Sequence, residues 1–233
     1  MIVLGLDTAT PSTVAGVLVD DAVFEVRDDP APGARPAHAG RLLAAAEEAL
    51  EAAGVGWEAL DRLAVGVGPG SFTGLRIGIA TARALAQARG LPMVGVSTLE
   101  ALARGAGDAP IVLAAIDARR GEAFAAAWQT LKRREGGQTP LRLVEGFVPA
   151  ALTPEALAER VRAMPVAPLA VGDGAVRFRD SLEAAGARVP HDEDGVHRLR
   201  AEQVCRLGAE GSPTDRDALL PDYLREPDAV PRR

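Results

Sequence analysis

Aromatic side chains are nearly missing from this chain: five Phe, two Trp and one Tyr make 3% of 233 residues. The core must therefore be packed by Ala, Val, Leu and Ile, and a platform that stacks unpaired bases on rings is not expected. Lysine is reduced to Lys132, so nearly all positive charge is arginine and lysine-based chemistry has little to draw on. Cys205 stands alone, which excludes a disulfide framework and a cysteine-based zinc site and leaves it as a core filler. Histidine is limited to His38, His191 and His197. His38 opens a helix whose i+3 and i+4 positions hold Arg41 and Leu42, so no HxxxH pair forms. His191 leads into Asp192-Glu193-Asp194, which reads as a solvated turn. A catalytic metal, which commonly needs three protein ligands, is not expected. Excess positive charge is missing too, and a net charge of −6 disfavours tight unaided binding to nucleic acid, tRNA or DNA. No apolar run spans a bilayer, and Asp7 interrupts the first apolar run too early for a signal peptide; a cytoplasmic protein without a membrane partner is expected.

What is present concentrates in residues 65–78, VGVGPGSFTGLRIG. An apolar strand over 63–67 runs into a turn carrying Gly66, Gly68, Pro69 and Gly70, then enters a helix over 73–89. Ser71 or Thr73 is placed to cap its first free N–H groups. Such a junction is a potential anion cradle. None of the standard catalytic loops fits: no lysine follows Gly74, Thr73 breaks GxGxxG, and Pro69 and Thr73 break GxSxG.

The two halves begin alike. Residues 2–7 (IVLGLD) and 111–117 (IVLAAID) are both apolar strands ending in aspartate. Each is followed by two more strands and then by alternating helices and strands, an order βββαβαβα stated twice. The fold class expected is α/β, with two lobes and a mixed sheet in each. The lobes are placed at 1–105 and 106–233, with the tail from about 212 returning to the first lobe. The second lobe is expected to carry a strand over 141–147, a helix over 175–185 and a final helix over 198–210. The duplication, with Asp7 and Asp117 ending equivalent strands, is similar to that of the actin-like, Hsp70-like and sugar-kinase ATPases (RNase H-like lobes, ASKHA superfamily). In such a sheet the strand over 63–67 lies beside the first strand, which brings the glycine loop next to Asp7. Asp7, Thr8, Ser71, Thr73, Arg76, Asp117 and Arg119 thus become candidates for a cleft or nucleotide site. The turns after Asp7 and Asp117 lack the glycines that let backbone close on phosphate.

The 73–89 helix carries a second signal, a ridge of Gly74, Gly78, Ala82 and Ala86 at i+4 spacing. A helical glycine costs about 1 kcal/mol against alanine and so usually has a packing reason. The ridge either receives a partner's helix or lies on its own sheet. With His38, Leu42 and Leu85 it makes the candidate partner interface, alongside the broad apolar stripe of the 38–53 helix.

The chain resembles the TsaB (YeaZ) family along nearly its whole length. The shared pattern comprises LGLDTAT at 4–10, His38, GVGPGSFTGLRIG at 66–78, VGVSTLEALA at 94–103, IDARRGEAF at 116–124, VGDGA at 171–175 and PDYLRE at 221–226. The resemblance implies a non-catalytic scaffold subunit of the bacterial machinery that makes threonylcarbamoyladenosine beside the tRNA anticodon. It further implies pairing with the catalytic paralogue TsaD through the helices of the first lobe, with the ATPase TsaE joining. A homodimer is implied when the chain is alone, and tRNA is reached only through the complex. TsaD carries an HxxxH metal pair, where this sequence has His38 and Leu42. No cofactor of its own is implied; ATP or ADP is left to the cleft or to the partner interface. The competing reading is an active phosphotransferase or metallopeptidase of the same fold.

Overall fold

The computed structural model describes residues 1–31, 33–107, 109–131 and 140–225. The first lobe is built on β1 (Ile2–Asp7), β2 (Thr13–Val19), β3 (Ala22–Asp28), α1 (His38–Ala53), β4 (Arg62–Gly68), α2 (Phe72–Arg89), β5 (Met93–Ser97) and α3 (Thr98–Arg104). Its sheet runs β3-β2-β1-β4-β5, antiparallel through β3, β2 and β1 and parallel from β1 to β5. The expected βββαβαβα order holds here, and β4 lies beside β1 with Leu6 opposite Val65. α2 begins one residue earlier than expected, with Ser71 as its cap: the hydroxyl accepts from the Gly74 N–H at 2.9 Å.

The second lobe departs from a full repeat. It holds β6 (Ile111–Arg119), β7 (Glu122–Thr130), β8 (Leu141–Leu143), β9 (Ala150–Leu152), α4 (Pro154–Arg162), β10 (Leu169–Val171), α5 (Asp173–Arg177), α6 (Arg179–Ala184) and α7 (Ala201–Glu210). Among the described residues the counterpart of β5 is reduced to one parallel bridge, Arg188 on Leu169 of β10; the sheet order is β10-β6-β7-β8, with β9 also on β7. The strand expected over 141–147 ends at Leu143, because Gly146 turns the chain at φ 77°. β9 then pairs with the other end of β7. The single helix expected over 175–185 is two short ones, broken at Phe178, whose φ of −106° and ψ of 25° are not helical.

Alternation along the strands sorts the apolar residues into three layers. Leu4, Leu6, Ala15, Val17, Leu63 and Val65 face α1 and α2. The opposite face, with Val3, Val14, Ala64 and Val96, meets α3 and α7 and continues without a break into Val112, Ala114, Ile116 and Trp128 of the second sheet. The far side of that sheet packs Leu113, Ala115 and Ala125 on Leu157 and Val161 of α4. The two lobes therefore share one core, bridged by α3 and α7. α7 covers the first sheet rather than the second, so the return to the first lobe starts at Ala201, ahead of the expected residue 212. The cause is a seat of small residues on both sides. A Cβ on Gly5 would lie 2.6 Å from Cys205 Sγ, and one on Gly16 would lie 2.8 Å from Ala201 Cβ. On the helix, a Cβ on Gly208 would lie 2.2 Å from Ala64 Cβ.

Candidate functional site

A cavity of about 550 Å³ lies between the carboxyl ends of β1 and β6. Its walls are Ala9, Thr10 and Pro11 after β1, Gly70, Ser71 and Phe72 at the start of α2, and Asp117 and Arg119 at the end of β6. Asp173 and the tail residues Asp222, Tyr223, Leu224 and Arg225 complete it. Of the residues expected in the cleft, the fold brings Ser71, Asp117 and Arg119 to this cavity; Asp7, Thr8, Thr73 and Arg76 do not line it.

Asp7 is fully buried beneath the cavity. Its Oδ1 accepts from the Ala9 N–H at 2.6 Å and its Oδ2 from the Thr98 hydroxyl at 3.0 Å. A Cβ on Gly66 would fall 1.7 Å from Asp7 Oδ2, so the glycine is what admits the carboxylate. Burial dominates over both hydrogen bonds and raises the Asp7 pKa to about 6. Thr8 is also buried and donates to the Gly74 carbonyl at 2.7 Å. The Ser71 N–H donates to the Ala9 carbonyl at 2.7 Å, and a Cβ on Gly70 would meet that oxygen at 2.4 Å. The turn after β1 is thus bonded directly to the start of α2, and the cavity lies on its other side, toward Asp117.

Across the cavity, Asp117 is held by cations rather than aimed at a ligand. Its Oδ2 pairs with Arg177 at 2.9 Å and Arg119 at 3.3 Å, while Oδ1 accepts from the Arg119 N–H at 2.9 Å. Its own N–H donates to Asp173 Oδ1 at 2.9 Å, and burial raises the Asp173 pKa. Thr73 is exposed. Arg76 lies 3.8 Å over the Phe72 ring and donates to the Tyr223 hydroxyl at 3.1 Å. Among the described residues no three His, Cys, Asp or Glu side chains approach closely enough to hold a metal ion.

The candidate interface residues face into the chain rather than out of it. His38, Leu42, Gly74, Gly78, Ala82 and Ala86 are buried within the chain, and Leu85 is half-buried. The His38 Nδ1 bonds the Thr13 hydroxyl at 2.9 Å, and burial lowers the ring's pKa. The ridge of α2 lies on its own sheet, where a Cβ on Gly74 would meet the Thr8 carbonyl at 1.9 Å and one on Gly78 would meet Thr8 Oγ1 at 2.6 Å. What α1 and α2 leave to solvent includes Ala39, Gly40, Leu43, Ala80 and Ala84, beside Glu47, Glu48, Glu51, Arg76 and Gln87. Periodicity located the ridge but not the direction it faces. The tail was missed as part of the cavity, although PDYLRE had already stood out as a motif.

Comparison with known proteins places this geometry. The family model described as "TsaD: tRNA N6-adenosine threonylcarbamoyltransferase" matches residues 32–140. The tRNA threonylcarbamoyladenosine biosynthesis protein TsaB of Escherichia coli K12 is 35% identical, over 97% of this chain and 95% of the relative. The structure of YeaZ from Pseudomonas aeruginosa superposes with a TM-score of 0.75 at 30% identity, covering 96% of this chain and 99% of that one. The ROK hexokinase of Thermus thermophilus, at TM-score 0.50 and 17% identity over 89% of this chain and 99% of its own, shares the actin-like fold alone. The chain belongs to the TsaB family.

Proposed function

We propose that this chain is a non-catalytic subunit of the machinery that makes threonylcarbamoyladenosine in tRNA, and that it pairs with TsaD, the catalytic paralogue. One observation carries this reading: Asp7, the carboxylate that a working member of the fold would turn to the cleft, is buried off the cavity wall and spent on the Ala9 N–H and the Thr98 hydroxyl. A fold kept while its cleft carboxylate is withdrawn suits a scaffold. Nucleotide, where the assembly uses it, is held at the cleft or at the partner interface. The net charge of −6 supports tRNA contact through the partner, in a complex formed in the cytoplasm. The outer faces of α1 and α2 serve this pairing, and a homodimer when the chain is alone, since Ala39, Gly40, Ala80 and Ala84 permit close helix approach there.

An arginine at Leu43 or Ala80, both exposed, is expected to abolish co-elution with TsaD and leave the melting temperature unchanged. A charge buried without a partner at an interface weakens binding by about tenfold or more. Intact pairing in both variants would move the interface elsewhere.

A further inference from the structure

We propose that the tail over residues 214–225 is a strap that gates the cavity between the lobes. It is fastened to the first lobe at several points. The Thr214 N–H donates to the Met93 carbonyl at 2.8 Å, the Arg83 guanidinium donates to the Leu219 carbonyl, and the Asp222 N–H donates to the Val67 carbonyl at 2.7 Å. Leu219 is buried in the first lobe's core. Tyr223 then stacks on Phe72, with ring centroids 5.4 Å apart and an interplanar angle of 28°. Beyond that point the strap crosses the cavity mouth. Arg225 reaches Glu122 on β7 of the second lobe at 3.0 Å, with the two side chains 30% and 31% exposed.

This attachment is graded. Its first-lobe end is bolted by backbone hydrogen bonds and a buried leucine. Its far end is closed by one partly exposed ion pair, of the kind that salt screens and that contributes little, and by the half-buried Leu224 against the shared core. The lobes themselves are poorly placed to open the cavity, because α3 and α7 join them through one continuous apolar core. The separable wall is residues 223–225, beyond the Asp222 bond to Val67, and all three line the cavity. Entry to the cavity therefore follows release of these residues rather than rotation of one lobe on the other.

Two features of the composition make the gate measurable. Tyr223 is the only tyrosine, so 3-fluorotyrosine labelling of the whole protein gives one fluorine signal that reports the strap. Cys205 is the only cysteine, and burial pushes its thiol up to about 12, so it stays silent to iodoacetamide. A cysteine placed at Ala118, on the cavity wall, then reports access. In Arg225→Ala and in Glu122→Gln, the fluorine signal is expected to move from its ring-shifted position toward that of free tyrosine. Alkylation at position 118 is expected to accelerate by about two- to fivefold. Molar salt should reproduce both changes in the unaltered strap. A moved signal with an unchanged alkylation rate would overturn the gate, as would an unmoved signal in both variants. Amide exchange across residues 116–119 gives the same readout without the added cysteine.

Discussion

Leucine at Gly74 or Gly78 is expected to lower the melting temperature by about 2–12 °C. Both glycines sit where α2 crosses the end of β1, and their missing side chains let Thr8 lie against the helix. A single Cβ at Gly74 already falls 1.9 Å from the Thr8 carbonyl, a backbone atom that cannot step aside without moving β1. At Gly78 the obstacle is Thr8 Oγ1 at 2.6 Å, and displacing it breaks the hydroxyl's bond to the Gly74 carbonyl. Overpacking of this kind costs about 1–3 kcal/mol, and each kcal/mol shifts the midpoint of a domain of this size by about 2–4 °C. Thermal unfolding of the two variants checks it. An unchanged midpoint with pairing to TsaD lost would return the ridge to the interface.

Asparagine at Asp7 is expected to stabilise the protein at neutral pH. Burial holds the Asp7 carboxyl at about 6 in the folded chain, against an ordinary value of 3.8. The folded state thus binds a proton more tightly than the unfolded state. Stability from this group is fully present below about pH 4 and is lost as pH rises through about 6. Carrying the ionised carboxyl at pH 7 therefore costs the folded state about 3 kcal/mol. Asparagine keeps an oxygen for the Ala9 N–H, and its amide donates to the Thr98 hydroxyl in the reverse sense. The Asp7→Asn chain should therefore lose the pH slope between 4 and 6 and exceed the natural chain at pH 7 by up to about 3 kcal/mol. Asp7→Ala, which strands the Ala9 N–H and the Thr98 hydroxyl, should not reproduce the gain. Denaturant unfolding across that pH range decides it. A loss of stability in Asp7→Asn at pH 7 would mean that the charge itself is needed.

How far the residues alone led to this picture depends on what each pattern encodes. Strand-ending aspartates, the glycine turn and the Ser71 cap are local signals, and β1, β4 and the start of α2 fell where those signals put them. The adjacency of β4 to β1 followed from crossover geometry. The sense of the α2 ridge was not local: a stripe of small residues serves an external helix or an underlying strand equally well. Only the position of Thr8 decides between them. α7 was misplaced for a related reason, since its seat consists of Gly5, Gly16 and Ala64, residues from three strands whose small size signals nothing until the strands are paired. Asp7 looked like a cleft residue because it ends its strand, whereas Gly66 and Thr98 on two other elements draw it inside.

The central claim is that this chain supports a reaction it does not perform. The direct measurement is the amount of threonylcarbamoyladenosine, by mass spectrometry of tRNA, formed from threonylcarbamoyl-adenylate with the chain alone, with TsaD and TsaE alone, and with all three. The account predicts no product from the chain alone and an increase of about tenfold or more when it joins the other two. Product formed by the chain alone, or a yield from TsaD and TsaE that does not change when it is added, would contradict it.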